Sequence, residues 1–196
     1  TRKESSAASD VYKRQYLDRL WFGEYFKYEK SPEYWLTDVS GIPFGMMSEM
    51  LQDGGNPYRG MLYGMTAREP MESVPSQLWK VWDAFGIKDS RMMGYWVSYN
   101  PVKTGRSDIL ATSFVKDGKV MIAIASWAKK DSEVKLQIDW EKLGIDPDKA
   151  KLTAPAIKGF QEGFTLSAKD KIKIPKDKGY IPVSYTHLTL PTTPYV

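Results

Sequence analysis

Glu24 ends the segment Leu20-Trp-Phe-Gly-Glu24, at the close of an apolar run, Leu17–Phe22, that carries two aromatic side chains. A carboxyl group beside Trp21 and Phe22 loses hydration when such a run is buried, and desolvation raises its pKa. Two carboxyl groups in unlike environments, one protonated and one ionised, are what cleavage of a glycosidic bond requires. Glu24 is therefore the one candidate catalytic group, and it is also a candidate substrate contact. The plainer alternative is a loop carboxylate paired with a cation such as Arg19.

Three further residues suit a sugar. Trp21 offers a flat apolar face on which a sugar ring can stack. Arg59, in the turn-forming stretch Asn56-Pro-Tyr-Arg-Gly60, presents a planar fork to a hydroxyl or carboxylate. A structural salt bridge is its commoner use. Trp96, near the end of the run Met93–Val97, either floors a subsite or fills the core. Glu24, Trp21, Arg59 and Trp96 are thus the candidate substrate-binding residues. Asp38 and Glu49 sit where solvated or capping roles are the default. Met46, Met47 and Met50 read as core filler rather than as ligands. Gly41-Ile-Pro-Phe-Gly45 lacks the spacing of a phosphate loop.

Composition removes several other chemistries. The chain of 196 residues has no Cys and a single His, His187. Residues 16–182 hold neither, which leaves them no Ser–His or Cys–His pair and no His-ligated metal. No metal and no cofactor are expected. The net charge is +4, but acidic and basic residues alternate through 129–135 and 139–151. A nucleic-acid footprint needs cations clustered on one face, so no nucleic-acid partner is expected. Nor does any apolar run approach the length of a membrane-spanning helix.

The positioning elements fall into two halves. Residues 16–107 hold five of the seven Trp and all but one of the nine Met, and they read as mixed α/β. Leu17–Phe22 is a buried strand. Ser31-Pro32-Glu33 opens a helix, with Ser as cap, Pro in the first turn and Glu at the positive end. Met46–Leu51 reads as a short helix and Gly60–Met65 as a strand. Ser76–Phe85 is a helix with Leu78, Val81, Trp82 and Phe85 on one face, stopped by Gly86. Met93–Val97 is a last strand. Alternating strands and helices specify a parallel α/β arrangement, here too short to close an eight-stranded barrel. The stretch Asn100–Ser107 is the linker. Residues 108–182 contain short alternating runs, led by Ile109–Val115 and Val120–Trp127 around Asp117-Gly118, a strong hairpin signal. The expected fold is α/β plus all-β: an incomplete (β/α) TIM-barrel C-terminal portion at 16–107, then a small antiparallel β-sandwich at 108–182.

The two ends read differently. Ser5-Ser-Ala-Ala-Ser-Asp-Val-Tyr-Lys-Arg-Gln15 and Val183-Ser-Tyr-Thr-His-Leu-Thr-Leu-Pro-Thr-Thr-Pro-Tyr-Val196 resemble translated metagenomic library adapters. On that reading 1–15 and 183–196 are foreign and are set aside before the fold is read. The alternative is a disordered N-terminus and a genuine final strand.

Several phrases within 16–182 resemble the glycoside hydrolase family 123-like proteins of bacteria. They are Asp18-Arg-Leu-Trp-Phe-Gly-Glu24, Ser40-Gly-Ile-Pro-Phe-Gly45, Asn56-Pro-Tyr-Arg-Gly-Met61, Trp79-Lys-Val-Trp-Asp-Ala-Phe-Gly86, Gly94-Tyr-Trp96 and Ile138-Asp-Trp-Glu-Lys-Leu-Gly144. The resemblance implies a larger, exported enzyme with an N-terminal β-rich region, a central barrel and this tail. It implies a carbohydrate substrate with β-linked N-acetylgalactosamine, attacked by its own acetamido group with help from an adjacent Asp–Glu pair. No Asp-Glu dipeptide occurs in 16–182. On the resemblance the pair belongs to a preceding, missing N-terminal part, and Glu24 is at best a substrate contact. A non-catalytic carbohydrate-binding or scaffold protein, and a small self-contained enzyme using Glu24, are the competing readings.

Overall fold

The structure, a computed structural model, describes residues 25–45, 47–48, 50–51, 55–67, 75–116 and 118–185, together with the backbone of 19–20. Its first part is built from short parallel pairs joined by helices. Strand β1 (Arg19–Leu20) leads to helix α1 (Pro32–Tyr34), which continues as a π-turn over Trp35–Val39. Then come β2 (Met47–Ser48), β3 (Met50–Leu51), helix α2 (Pro57–Met61), β4 (Thr66–Ala67) and helix α3 (Pro75–Phe85). β1 pairs with β2 in parallel, and β3 with β4 in parallel. Each parallel pair needs a crossover, and α1 and α2 supply it.

Two expectations change here. Met46–Leu51 was expected as a helix, but its described residues form two strand segments. Their partners are distant in sequence, and two-residue strands carry no readable period. Gly60–Met65 was expected as a strand, yet the chain over Pro57–Met61 is helical. Asn56 caps that helix by accepting from the Arg59 backbone N–H at 2.9 Å, and Pro57 occupies the first turn, where its missing N–H costs nothing. A side chain at Gly60 would place its Cβ 2.7 Å from Leu51 Cδ1 and 3.0 Å from Met65 O, so a larger residue there must push the buried Leu51 aside.

The second part is antiparallel. In chain order it comprises β5 (Arg91–Met93), β6 (Val102–Lys103), β7 (Ile109–Lys116), β8 (Lys119–Ser126), β9 (Ser132–Val134) and β10 (Gln137–Ile138). Helix α4 (Trp140–Leu143), β11 (Lys151–Ala154), β12 (Phe164–Ser167), β13 (Ile172–Ile174), β14 (Gly179–Tyr180) and β15 (Val183–Tyr185) follow. The main sheet has the order β12-β11-β15-β8-β7-β5, with β14 also pairing β8. The β7–β8 hairpin is the one expected around Asp117-Gly118, and Gly118 adopts φ 64°. Pro182 separates β14 from β15 because it has no N–H to donate, but its carbonyl accepts from Ile122 N at 2.9 Å.

The strand expected at Met93–Val97 lies earlier, at Arg91–Met93. It is antiparallel to β7 and belongs to this sheet rather than to the parallel segments. Val183–Tyr185, placed with the second adapter-like stretch, also forms an integral strand. It pairs with Val120 and Met121 and buries Val183 and Ser184. The first adapter-like stretch and residues 186–196 lie outside the described residues.

Strand alternation sorts the core into two. Leu110, Phe114, Met121, Ala123, Ala125 and Val183 face the helical part, against Trp35, Met61, Leu62, Tyr63, Leu78, Val81 and Phe85. Ile109, Ala111, Val120, Ile122 and Ile124 face the other way, under Val102, Val134, Leu143, Ile172 and Ile174. That second face is covered by α4 and by two small antiparallel ladders, β9–β13 and β6–β10. Strands β7 and β8 are thus apolar on both faces, which explains their near-continuous hydrophobic runs.

Candidate functional site

Glu24 and Trp21 lie outside the described residues. The loop after β1 is described from Tyr25, which has φ 64° and is 88% exposed. A bulky residue in the left-handed region is a genuine outlier, and such strain persists only where the surroundings over-determine it. A polar and aromatic cluster begins three residues on, at Tyr28.

The carbonyl of Tyr28 is the anchor point. It accepts from Arg59 Nη1 at 2.7 Å and from Trp35 Nε1 at 3.1 Å. The π-turn at Trp35–Val39 is closed by Ser40 N donating to Trp35 O at 2.9 Å. Trp35 is fully buried and lies at 5.9 Å and 12° to Tyr63. On its other side Tyr63 lies at 5.6 Å and 7° to Trp96. The Tyr63 and Tyr95 hydroxyls are 3.0 Å apart, and both donate toward Pro32 O, at 3.3 and 3.0 Å. Burial pushes the Tyr63 phenol far above its ordinary range and Tyr95 up to about 12. Both therefore act as neutral donors that fix the start of α1, not as acids or bases near neutrality.

Arg59 ties this cluster to the sheet. It is 5% exposed. Its Nε and Nη2 donate to Ser126 O at 3.2 and 3.1 Å, at the end of β8, and Nη2 also meets Asp177 Oδ1 at 2.7 Å. The guanidinium lies 4.6 Å from the Trp127 ring centroid. Burial pulls its pKa down, and the charge of Asp177 opposes that. The start of α2 holds Asp177 a second time, through Asn56 Nδ2 to Asp177 O at 2.8 Å. Asp177 itself has φ 56°. Beside it, Tyr58 stacks on Phe160 at 4.5 Å and donates to Phe160 O at 2.8 Å. Of the two uses expected for Arg59, the structure displays the salt bridge. Its fork is occupied by the chain itself.

Trp96 lies in the turn after β5, not at the end of a parallel strand. A Cβ on Gly94 would come within 2.3 Å of its ring, so Gly94 makes room for the indole. The cluster of Trp35, Tyr63, Tyr95 and Trp127 was not singled out from sequence; only the high count of Tyr and Trp hinted at it. Among the described residues no three His, Cys, Asp or Glu side chains stand close enough to hold a metal ion. The cluster can orient a loop and present donors, but it holds no acid–base pair.

Two family models match, one over the parallel segments and one over α3 and the antiparallel sheet. Residues 3–70 match the TIM-barrel domain of glycoside hydrolase 123, and residues 74–183 match its C-terminal domain. The chain belongs to glycoside hydrolase family 123. No curated protein matches it. The C-terminal match takes in α3 and β5, well before the linker expected at Asn100–Ser107, as the pairing of β5 with β7 also requires. The barrel match starts at residue 3 and takes in the first adapter-like stretch, Ser5–Gln15. In this family 123 chain the Arg59–Asp177 pair joins a residue of the barrel match to one of the C-terminal match.

Proposed function

We propose that this chain is the C-terminal portion of a glycosidase that hydrolyses N-acetylhexosaminides, and that it is inactive alone. The observation that carries this reading is the parallel pairing of β1 with β2 and of β3 with β4, with helical crossovers, inside the segment that matches a barrel domain. On this reading the four segments are the last strands of a (β/α) barrel, and β5–β15 form a sandwich that braces them. Barrel enzymes place their chemistry on loops at the C-terminal ends of strands. Glu24, Trp21 and Tyr25 would then line the substrate, at the end of β1. The acid and base would come from earlier strands, since 16–182 contains no adjacent Asp–Glu pair. The parent protein is proposed to be exported, as its substrate class implies.

The test compares this chain with a longer one that includes the preceding sequence, on an aryl N-acetyl-β-galactosaminide. Turnover by the longer chain only is the expected result. Turnover by this chain alone, abolished in Glu24→Gln, would replace the reading with a self-contained enzyme. Saccharide binding without hydrolysis by the longer chain would favour a carbohydrate-binding or scaffold protein.

A further inference from the structure

A groove of about 500 Å³ runs beside Trp96, between the turn after β5 and the loop that joins β6 to β7. A second cleft of about 350 Å³ adjoins it, and the two share Ser98, Lys103 and Gln137. Both clefts border the β6–β10 ladder, where Lys103 pairs with Gln137.

The groove's walls are fixed by buried polar groups. Asn100 is 4% exposed, donates to Ala111 O at 3.0 Å and accepts from Val102 N at 3.0 Å and from Ser113 Oγ. Thr104 donates to Ile109 O and accepts from Arg106 N at 3.2 Å. Gly105, at φ 70°, turns the loop beside the Gln137 amide. A trough held this way is formed before any ligand arrives, which lowers the cost of binding.

Its lining is another matter. The Trp96 indole N–H, the Ser98 and Ser107 hydroxyls and the Gln137 amide make no hydrogen bond within the described residues. Four neutral donor or acceptor groups and one aromatic ring thus line the same groove, with Ser98, Ser107 and Gln137 exposed. Its charges are mostly cancelled. Arg106 makes a two-pronged pair with Asp108, both contacts at 2.8 Å, and Lys142 pairs with Asp139 at 2.7 Å. Lys103 is the one lining cation without an ion pair among the described residues. A strongly anionic ligand would find little net charge here. A neutral polyhydroxylated one would find hydroxyl, amide and indole N–H groups ready to pair, beside the part of the Trp96 ring that Tyr63 leaves uncovered.

We infer that the trough bounded by Trp96, Ser98, Ser107 and Gln137 binds a short neutral oligosaccharide. The inference rests on the carbohydrate-active reading only for the choice of ligand class.

The intact chain would be titrated with triacetylchitotriose and, separately, maltotriose, following the Trp96 indole and Gln137 side-chain amide resonances by NMR. Saturable shifts of both signals are expected with at least one trisaccharide. Gln137→Ala should weaken binding about threefold, the value of one neutral hydrogen bond. Ser107→Trp, which fills the trough, should abolish it. Trp96→Ala should weaken binding about tenfold, on the scale of a lost aromatic contact. Because Trp96 also stacks on Tyr63, the other two variants decide the matter if that one fails to fold. Absence of shifts at saturating sugar, or shifts unchanged in Gln137→Ala and Ser107→Trp, would overturn the inference. Hydrolysis by the longer chain with a silent trough would sink this inference and leave the glycosidase standing. Sugar in the trough without hydrolysis would do the reverse.

Discussion

The parallel segments before residue 70 and the antiparallel sheet after residue 90 are stabilised in different ways. In the sheet, β8 is paired along both edges, by β7 on one side and by β14 and β15 on the other, and residues 120–126 are all buried. Its two faces are sorted strictly by alternation. The parallel strands are two residues long, and each has one partner among the described residues. Their core is shared: Trp35, Met61 and Tyr63 pack on Phe114, Met121 and Ala125 of the sheet. The antiparallel part is thus a scaffold with internal pairing, and the parallel part borrows its stability across a seam. Arg59 is the polar centre of that seam.

The largest effect should come from breaking the scaffold itself. A Cβ at Gly179 would stand 1.8 Å from Ile124 O, a backbone atom that cannot step aside. Gly179→Val should cost about 3 kcal/mol or more by overpacking. Urea unfolding should show both regions lost together. Arg59→Met comes next. Removing the cation strands the Ser126 carbonyl, takes from the Tyr28 carbonyl one of its two donors and leaves Asp177 without its partner, and about 3 kcal/mol should be lost. Arg59→Lys should recover less than half of it, because a point ammonium cannot reach Tyr28, Ser126 and Asp177 at once. Asp177→Ala should cost about 1 kcal/mol, since that carboxylate is half exposed. Unlike Gly179→Val, the Arg59 variants should leave the β7–β8 hairpin protected.

Alkaline pH sharpens the same contrast. The phenols of Tyr63 and Tyr95 have folded pKa values raised above the ordinary 10.0, mainly by burial. Their contribution is therefore intact below pH 10 and is lost as pH rises toward 12, where the unfolded chain has released protons that the folded chain retains. Stability measured by denaturant should be flat to pH 10 and then fall, and Tyr95→Phe should make the fall shallower. The smallest effect concerns surface. Among the described residues each parallel strand has one partner, and an edge left unpaired promotes association. The chain should bind a hydrophobic dye weakly, and more strongly in Arg59→Met, where the seam is loosened.

What could be read from sequence follows the same division. The β7–β8 hairpin was legible because its signal is local, Asp117-Gly118 between two apolar runs. The helix ending at Phe85 was legible from its apolar face and Gly86. The helix at Pro57–Met61 was written in Asn56 and Pro57, but the run to Met65 drew attention to strand propensity instead. Strands β2, β3 and β5 were misread because partners distant in the chain define them. The expected Trp96 subsite was placed on a parallel strand that does not exist there, although the residue does border a groove. For Arg59 the two uses left open by its type were separated only by Ser126, Asp177 and Tyr28, which come from three remote parts of the chain.

Native-state hydrogen exchange on the intact chain addresses the borrowed-stability claim most directly. Amides of β7 and β8 should exchange only through global unfolding, while those of 57–66 open at a lower free energy, and Arg59→Met should widen the gap. Equal opening free energies for both regions, moving together in Arg59→Met, would contradict it.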